Sequence, residues 1–524
     1  MKGLAMAVRI LWLIAMVLFT PLAGAVLNYD VFTWRSVAIV LAWTVTLLAP
    51  YVATGRRWLY VTAATLLFAE GFINLFHWAL LRCPLNASSM FVFMNTNWDE
   101  ATEFMTVKMT PALLLLVPYT GLYVMALMRV PALGLRRRCE VMVWGALWLT
   151  AGVFFAENAV NGRFVRLAMP DVGRAVVSFA RESREFRNLR TRGLMEVEAQ
   201  MRTEDSTLVV VIIGESTARG HMSLYGYGRE TTPRLSARDD IAVYDDVVSA
   251  NSNTLGSVMN FLTENNMEHA LPMDSCVHVF DVLGATPYRT WWLSNQSPVG
   301  LWDNGVTSLA QNADVTTYVN LTANSSMEST KMASYDERLM VPLQAALEDG
   351  AKYRMVFVHL MGCHTDYAKR YPRGFERYET SGDKRSRTVN AYDNAVLYND
   401  YVVDSMLRML EAYGMEHRGV RLTALYFSDH GENVYDEGEY AGHDWSGSIP
   451  RVNVEIPFIV WRPQWEEMQR GHVATPYMID DLYHTLLDLA GVATPGFDSS
   501  RSVVNAHYNA GRERRLEDGN VYER

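Results

Sequence analysis

The chain has 524 residues, 50% of them hydrophobic, and a formal net charge of −10. That acidic balance excludes a basic nucleic-acid binder, and the length suits more than one domain. The average conceals a split, because residues 1–160 are dominated by apolar runs while residues 200–524 have the composition of an ordinary soluble domain.

Five stretches, roughly 6–27, 36–55, 57–81, 110–130 and 139–160, each offer the ~20 apolar residues that cross a bilayer. The first reads as an anchor rather than a cleaved signal, since no small-residue cleavage site stands out and four spans follow. Lys2 with Arg9, Arg56 with Arg57, and Arg129 with Arg136, Arg137 and Arg138 all fall on one side if the N-terminus is inside. The loops near 28–35 and 82–109 are then outside, and so is everything beyond residue 160. Glu70 and Asn74 lie within the third span, where ionisable groups face a bundle interior or water; they read as a helix–helix hydrogen bond or as a contact for a lipid headgroup. Residues 161–205 form a charged connector, with one or two surface helices expected along the membrane face between Phe179 and Met201. The expected domains are therefore 1–160 transmembrane, 161–205 connector and 206–524 soluble. Cys276 and Cys363 would face an oxidising space, which allows a disulfide between them.

From residue 206, strand candidates (207–213, 241–248, 290–294, 315–319, 355–360, 422–427, 456–461) interleave with helix candidates (254–264, 336–349, 389–413, 478–491). That alternation predicts an α/β sandwich with a largely parallel sheet. Residues 500–524 are polar and read as peripheral.

Three of these strands end in chemistry-bearing residues. The run LVVVII (208–213) leads into Gly214-Glu215-Ser216, and LTALYF (422–427) leads into Ser428-Asp429-His430-Gly431-Glu432. His359 lies in the strand MVFVHLMG and His364 just after it. Ligands of open α/β sheets sit beyond the carboxyl ends of the strands. Two acidic groups and an imidazole delivered there suit a divalent cation such as zinc. Singly, each would be an ordinary cap or core residue; the joint pattern carries the argument. Ser249-Ala250-Asn251-Ser252-Asn253-Thr254 precedes an apolar helical run, so Thr254 falls at a helix N-terminus, where amides and the helix dipole favour a phosphate. A hydroxyl beside a metal is a nucleophile candidate, because the cation lowers its pKa; without the metal residues it would be a plain N-cap. His443 follows His430 at short range. With His364 it is a candidate to hold phosphate, protonate a leaving group or bind a second metal.

The set VVVIIGESTARGHMSLYGYGRETTPRL (209–235), SANSNT (249–254), HLMGCHTDYAKRYP (359–372), YDNAVLYND (392–400) and SDHGEN (428–433) resembles the phosphoethanolamine transferases that decorate bacterial lipopolysaccharide. These are membrane-bound relatives of the alkaline phosphatases and sulfatases. The likeness covers nearly the whole chain, including five spans and an outer loop from Asn95 to Glu103. It implies an α-helical transmembrane domain followed by an alkaline-phosphatase/sulfatase-like domain. It also implies a zinc site of Glu215, Thr254, Asp429 and His430, with Thr254 as nucleophile, and His364 and His443 on the phosphoryl group or on a second zinc. Asn295 and Gln296 stand where the family has polar substrate contacts. Cys363 stands where many relatives have Ser, and four cysteines are too few for the disulfide-rich domain of several lipid A-modifying members.

The resemblance implies transfer of phosphoethanolamine from phosphatidylethanolamine, through a covalent Thr254 intermediate, to lipid A or a core sugar of lipopolysaccharide. The catalytic domain would then be periplasmic, anchored in the bacterial inner membrane. Two other activities stay open on the residues alone. One is a phosphoglycerol transferase of the lipoteichoic acid synthase type, and the other a metal-dependent phosphatase or sulfatase-like hydrolase. The sulfatase chemistry is disfavoured, since Thr254-Leu255-Gly256-Ser257 lacks the C/S-x-P-x-R context of that nucleophile.

Overall fold

The computed structural model describes residues 2–27, 34–81, 85, 90, 111–135, 138–161, 164–272, 275–296, 305–320, 334–443, 448–463 and 470–523. The outer loop 95–103 lies outside the described residues. The chain divides into two compact units, with the boundary between Ser183 and Arg184, inside the segment read as a connector.

The first unit is helical, with α1 (Lys2–Leu27), α2 (Trp34–Thr54), α3 (Arg57–Leu81), α4 (Leu116–Met128), α5 (Arg138–Val160) and the first part of α6 (Asp171–Arg192), whose last residues belong to the second unit. Among the described residues four helical segments, 37–54, 57–80, 111–128 and 138–160, are long and apolar enough to cross a membrane, and α1 adds the apolar stretch 8–23. Tyrosine hydroxyls inside the bundle find backbone carbonyls, Tyr60 on Ala126 (3.1 Å) and Tyr51 on Pro131, as polar groups away from water must. Of the two readings of Glu70, the structure shows the helix–helix hydrogen bond. Its Oε1 accepts from Asn74 Nδ2 (3.0 Å) and from the backbone N–H of Val172 (3.0 Å), so a span carboxylate caps the start of α6. That helix begins earlier than the sequence indicates and stops at Arg192, so the stretch up to Met201 is not helical.

The second unit is built on an eight-stranded sheet: β1 (Thr207–Gly214), β2 (Ile241–Tyr244), β3 (Tyr288–Ser294), β4 (Val315–Tyr318), β5 (Tyr353–His359), β6 (Arg421–Ser428), β7 (Phe458–Trp461) and β8 (Gly471–Val473). The strand order is β8-β2-β7-β6-β1-β5-β3-β4. All pairings are parallel except those of β7 with β2 and β6. Every residue of β1 is buried, as expected of a β-branched run covered on both faces. One face carries Leu208, Val210, Ile212, Val356 and Val358, packed with α9 (Lys384–Glu416). The other carries Phe357, Trp292 and Phe427, against Phe280 and against Phe261 of α7 (Thr254–Phe261). Two further helices, α8 (Met340–Glu348) and α10 (Leu482–Ala490), complete the layers.

The two faces decide the cysteines. Cys363 lies in the core cluster of the α9 face and receives the Thr217 hydroxyl at 3.7 Å. Cys276 precedes the short helix Val279–Gly284, whose Phe280 packs on the opposite face. Both are free thiols, so the disulfide allowed by the sequence does not form.

The motif YDNAVLYND lies on α9 and braces the loop after β1. Tyr392 Oη accepts from the Ala218 N–H (2.8 Å) and donates to the Ser216 carbonyl (2.7 Å). His221, buried in that loop, sits between Asp393 (Nδ1 to Oδ1, 2.7 Å) and Asp436 (Nε2 to Oδ1, 3.2 Å). Burial alone would lower the imidazole pKa, but the two carboxylates raise it to about 9. A raised folded-state pKa stabilises the fold below the unfolded value near 6.5, and that contribution is lost as pH rises through about 9. Thermal melts of the wild type and His221→Gln should therefore differ by roughly 2–3 kcal/mol near pH 6. The gap should close by pH 10, and one that stays constant across this range would contradict the charged pairing.

Candidate metal and nucleophile site

The registers of the central strands set the site. Gly214 of β1 lies opposite Ser428 of β6, Ile213 opposite His359 of β5, and His359 opposite Ser294 of β3. Parallel strands in matched register end together, so the segments beginning at Glu215, Asp429 and Leu360 leave one edge of the sheet. The segment after β5 passes very close to Glu215. A Cβ on Gly362 (φ +52°) would stand 2.6 Å from the Glu215 carbonyl oxygen and 2.8 Å from its nitrogen, so only glycine fits there.

Glu215, Asp429 and His430 converge, each fully buried, with one donor atom apiece lying within 4.8 Å of the others. His430 Nε2 is 3.3 Å from Glu215 Oε1 and 3.7 Å from Asp429 Oδ2. The other ring nitrogen, Nδ1, is 2.7 Å from the Gly431 carbonyl, which fixes the ring. Thr254 completes the group: its hydroxyl donates to Glu215 Oε2 at 2.9 Å and lies 3.4 Å from His430 Nε2. The helix cap is Asn253, whose Oδ1 accepts from the Gly256 N–H at 2.8 Å. Thr254, the first residue of α7, is thereby spared capping and turns its hydroxyl to the acidic cluster.

The protonation pattern follows from crowding. Burial works against the Glu215 carboxylate, yet the hydrogen bond and charge of His430 hold its pKa well below the usual range. Burial and the Glu215 charge push Asp429 up to about 7. Burial opposes the His430 cation, and Asp429 and Glu215 overcome it, raising the imidazole to about 10. Asp429 Oδ1 accepts from the N–H groups of Ser216 (3.3 Å) and His430 (2.8 Å), whereas its Oδ2 is buried without a hydrogen-bond partner. An orphaned carboxylate oxygen facing a second carboxylate and an imidazole is costly without a cation. With one, the two oxygen ligands, the imidazole and the threonine hydroxyl match the four-coordinate preference of zinc.

A second group adjoins the first. His443 Nδ1 is 2.8 Å from Glu432 Oε2, Tyr367 Oη donates to Glu432 Oε1, and the rings of His430 and His443 are 4.5 Å apart. His430, Glu432 and His443 also gather donor atoms within 4.8 Å. Glu432 is the residue the sequence reading passed over, although it stands in the quoted SDHGEN motif. Desolvation lowers the His364 pKa to about 4 against the pull of Glu215, which places it within electrostatic reach of this edge, but it joins neither cluster. His359 is a core residue, buried against Trp292 at 5.5 Å.

Asn295 departs from its expected place in a substrate contact. Its Nδ2 donates to Asp336 Oδ1 (2.8 Å) and the Ser334 carbonyl (3.0 Å), and its Oδ1 accepts from the Ser334 hydroxyl (2.5 Å). The amide is fully buried and committed to the 334–336 segment. Gln296 is partly exposed, with Nε2 on the Leu360 carbonyl at 2.9 Å.

Residues 207–492 match the sulfatase family, which covers more than half of the chain. The chain belongs to the sulfatase family. Its relatives include the phosphoethanolamine transferase EptC of Escherichia coli (strain K12), 29% identical over 486 residues, or 84% of this chain and 81% of that protein. The crystal structure of the C-terminal periplasmic domain of EcEptC from Escherichia coli, in complex with zinc, is 30% identical. It matches 63% of this chain and 95% of that one, with a TM-score of 0.55. The lipooligosaccharide phosphoethanolamine transferase A (EptA) of Neisseria meningitidis, an integral membrane protein, shares the fold over 93% of this chain and 97% of its own (19% identity, TM-score 0.61). The resemblance to the phosphoethanolamine transferases and the helical-plus-sulfatase-like fold expected from the sequence both hold.

Full-length protein purified in detergent should retain a divalent metal through dialysis, and Asp429→Asn should lower its occupancy at least about 10-fold, read by elemental mass spectrometry. Unchanged metal content in the Asn variant would place the ion elsewhere.

Proposed function

We propose that the protein is a zinc-dependent phosphoethanolamine transferase, moving phosphoethanolamine from phosphatidylethanolamine to an acceptor on lipopolysaccharide, in lipid A or the core. The observation that carries this reading is the Thr254 hydroxyl held on the Glu215–His430–Asp429 cluster at the start of α7. The whole-chain similarity to phosphoethanolamine transferases and the zinc complex of the EcEptC domain support it. A bilayer lipid as donor suits a catalytic unit joined to a membrane-spanning one, with the inner membrane as anchor and the periplasm as its compartment.

Glu215, Asp429, His430 and Thr254 hold the zinc ion, which when bound supplies Lewis acidity for the phosphoryl oxygens and lowers the hydroxyl pKa. The Thr254 oxygen attacks the donor phosphorus, forming the Oγ1–P bond as the bond from phosphorus to the diacylglycerol oxygen breaks. The hydroxyl proton passes along its existing hydrogen bond to Glu215 Oε2 as the oxygen attacks. The dipole of α7, which begins at Thr254, favours the negative phosphoryl oxygens there. His443, oriented by Glu432, protonates the departing diacylglycerol alkoxide. His364 binds the phosphoryl group beside it. An acceptor hydroxyl or phosphate oxygen then attacks the same phosphorus, giving its proton to the now neutral His443, and the Oγ1–P bond breaks as Glu215 returns the proton to Thr254.

Proteoliposomes supplied with labelled phosphatidylethanolamine and phosphatidylglycerol side by side test the donor. Label should reach Thr254, and then the acceptor lipopolysaccharide, from phosphatidylethanolamine alone; label from phosphatidylglycerol would favour a phosphoglycerol transferase, and release of soluble phosphoethanolamine to water a hydrolase. Thr254→Ala should abolish the covalent adduct and cut transfer by at least about three orders of magnitude. Undiminished transfer by that variant would overturn the nucleophile. His443→Ala should slow diacylglycerol release about 100-fold or more, as expected for loss of a general acid, and a wild-type rate would remove it from that role.

A further inference from the structure

We propose that Glu517 is a positioning residue for Thr254, acting through the three residues that precede it; this rests on the reading of Thr254 as the nucleophile. Segment 500–524 looks peripheral in sequence, yet part of it folds into a tight hairpin. Arg515 pairs with Val521, the Leu516 N–H donates to the Asn520 carbonyl (2.8 Å), and the Tyr522 N–H donates to the Arg514 carbonyl (2.7 Å). The hairpin is pinned at its base. Arg514 reaches Asp246 at 2.7 Å, and Tyr522 Oη bonds Glu455 and receives Arg451 at 2.9 Å. Its tip is aimed at the nucleophile loop.

There the Glu517 N–H donates to the Ala250 carbonyl (3.0 Å), and the carboxylate collects four hydrogen bonds. Oε1 accepts from the Ser252 N–H (2.9 Å) and the Ser252 hydroxyl (2.8 Å). Oε2 accepts from Asn251 Nδ2 (2.9 Å) and Asn253 Nδ2 (3.3 Å). Holding the Asn253 amide nitrogen turns its oxygen onto the Gly256 N–H, the bond that caps α7. Holding the Asn251 nitrogen turns its oxygen onto Asn260 Nδ2 (2.7 Å), within the same helix. One acceptor-only group therefore sets the orientation of both flanking amides and of the backbone leading into Thr254. The motif SANSNT gains its reason here: Asn251, Ser252 and Asn253 are the donors that read Glu517, and Thr254 is left to the chemistry.

An ionised carboxylate matches four donors, whereas an amide presents its own N–H₂ to one pair of them. Glu517→Gln keeps the shape and breaks the match. A displacement of the attacking oxygen by a fraction of an ångström costs rate and leaves binding alone.

The test is transfer kinetics of the full-length protein in proteoliposomes containing phosphatidylethanolamine, with Thr254→Ala in parallel. For Glu517→Gln, kcat and the rate of Thr254 adduct formation should fall about 10- to 100-fold, with KM, metal content and melting temperature retained. Glu517→Asp should recover part of the loss. Ser252→Ala, a milder change, should lower kcat less, and adding it to Glu517→Gln should cost little more than Glu517→Gln alone. Wild-type kcat in Glu517→Gln with an inactive Thr254→Ala would overturn the positioning role only. An active Thr254→Ala would overturn the nucleophile itself. A loss of kcat that tracks loss of metal or of melting temperature, in both Glu517→Gln and Ser252→Ala, would reduce Glu517 to a structural brace.

Discussion

The site depends on the shared register of β1, β5 and β6. Because Gly214 lies opposite Ser428 and Ile213 opposite His359, the residues following all three strands emerge together. A one-residue slip in either pairing would send alternate side chains to the other face and part Glu215 from Asp429 and His430. The alternation of Leu208, Val210 and Ile212 with Val209, Val211 and Ile213, all buried, locks that register against two different helical layers. The cost of the arrangement is two carboxylates brought together without solvent, partly offset by His430 and fully answered only by a cation.

Around this core, several elements far apart in sequence serve to hold loops still. Tyr392 and Asp393 of α9 brace the loop carrying Glu215 and His221, Gly362 lets the segment after β5 pass against the Glu215 backbone, and Glu432 orients His443. Glu517 does the same for the loop before Thr254. Such support holds the clustered side chains in place, because Glu215, Asp429, His430 and His443 sit on the segments after the strands and their rigidity comes from what those segments are tied to.

Much of this was legible in the sequence, for physical reasons that also explain the gaps. Glu215, Asp429 and His430 directly follow long apolar runs, so locating the strands located the residues. Thr254 was legible by its place before an apolar helical run, although the cap proved to be Asn253. The edge strand β8 was missed because Gly471–Val473 is short and mostly exposed, and the antiparallel sense of β7 leaves no mark in composition. Asn295 looked like a ligand-facing amide, but its partners Ser334 and Asp336 lie across a segment no periodicity connects to it. Glu517 had no signal at all, standing in a polar stretch whose value lies only in what it meets in space. The Cys276–Cys363 pairing failed because face membership decides proximity, and sequence spacing does not report the face.

The central claim is that Glu215, Thr254, Asp429 and His430 enclose one metal ion. Diffraction from zinc-loaded crystals of the full-length protein, collected on both sides of the zinc absorption edge, tests it most directly. The account predicts a strong anomalous peak bounded by the Thr254 hydroxyl, the two carboxylates and the His430 imidazole. No peak there, or a peak held only by His443 and Glu432, would contradict it.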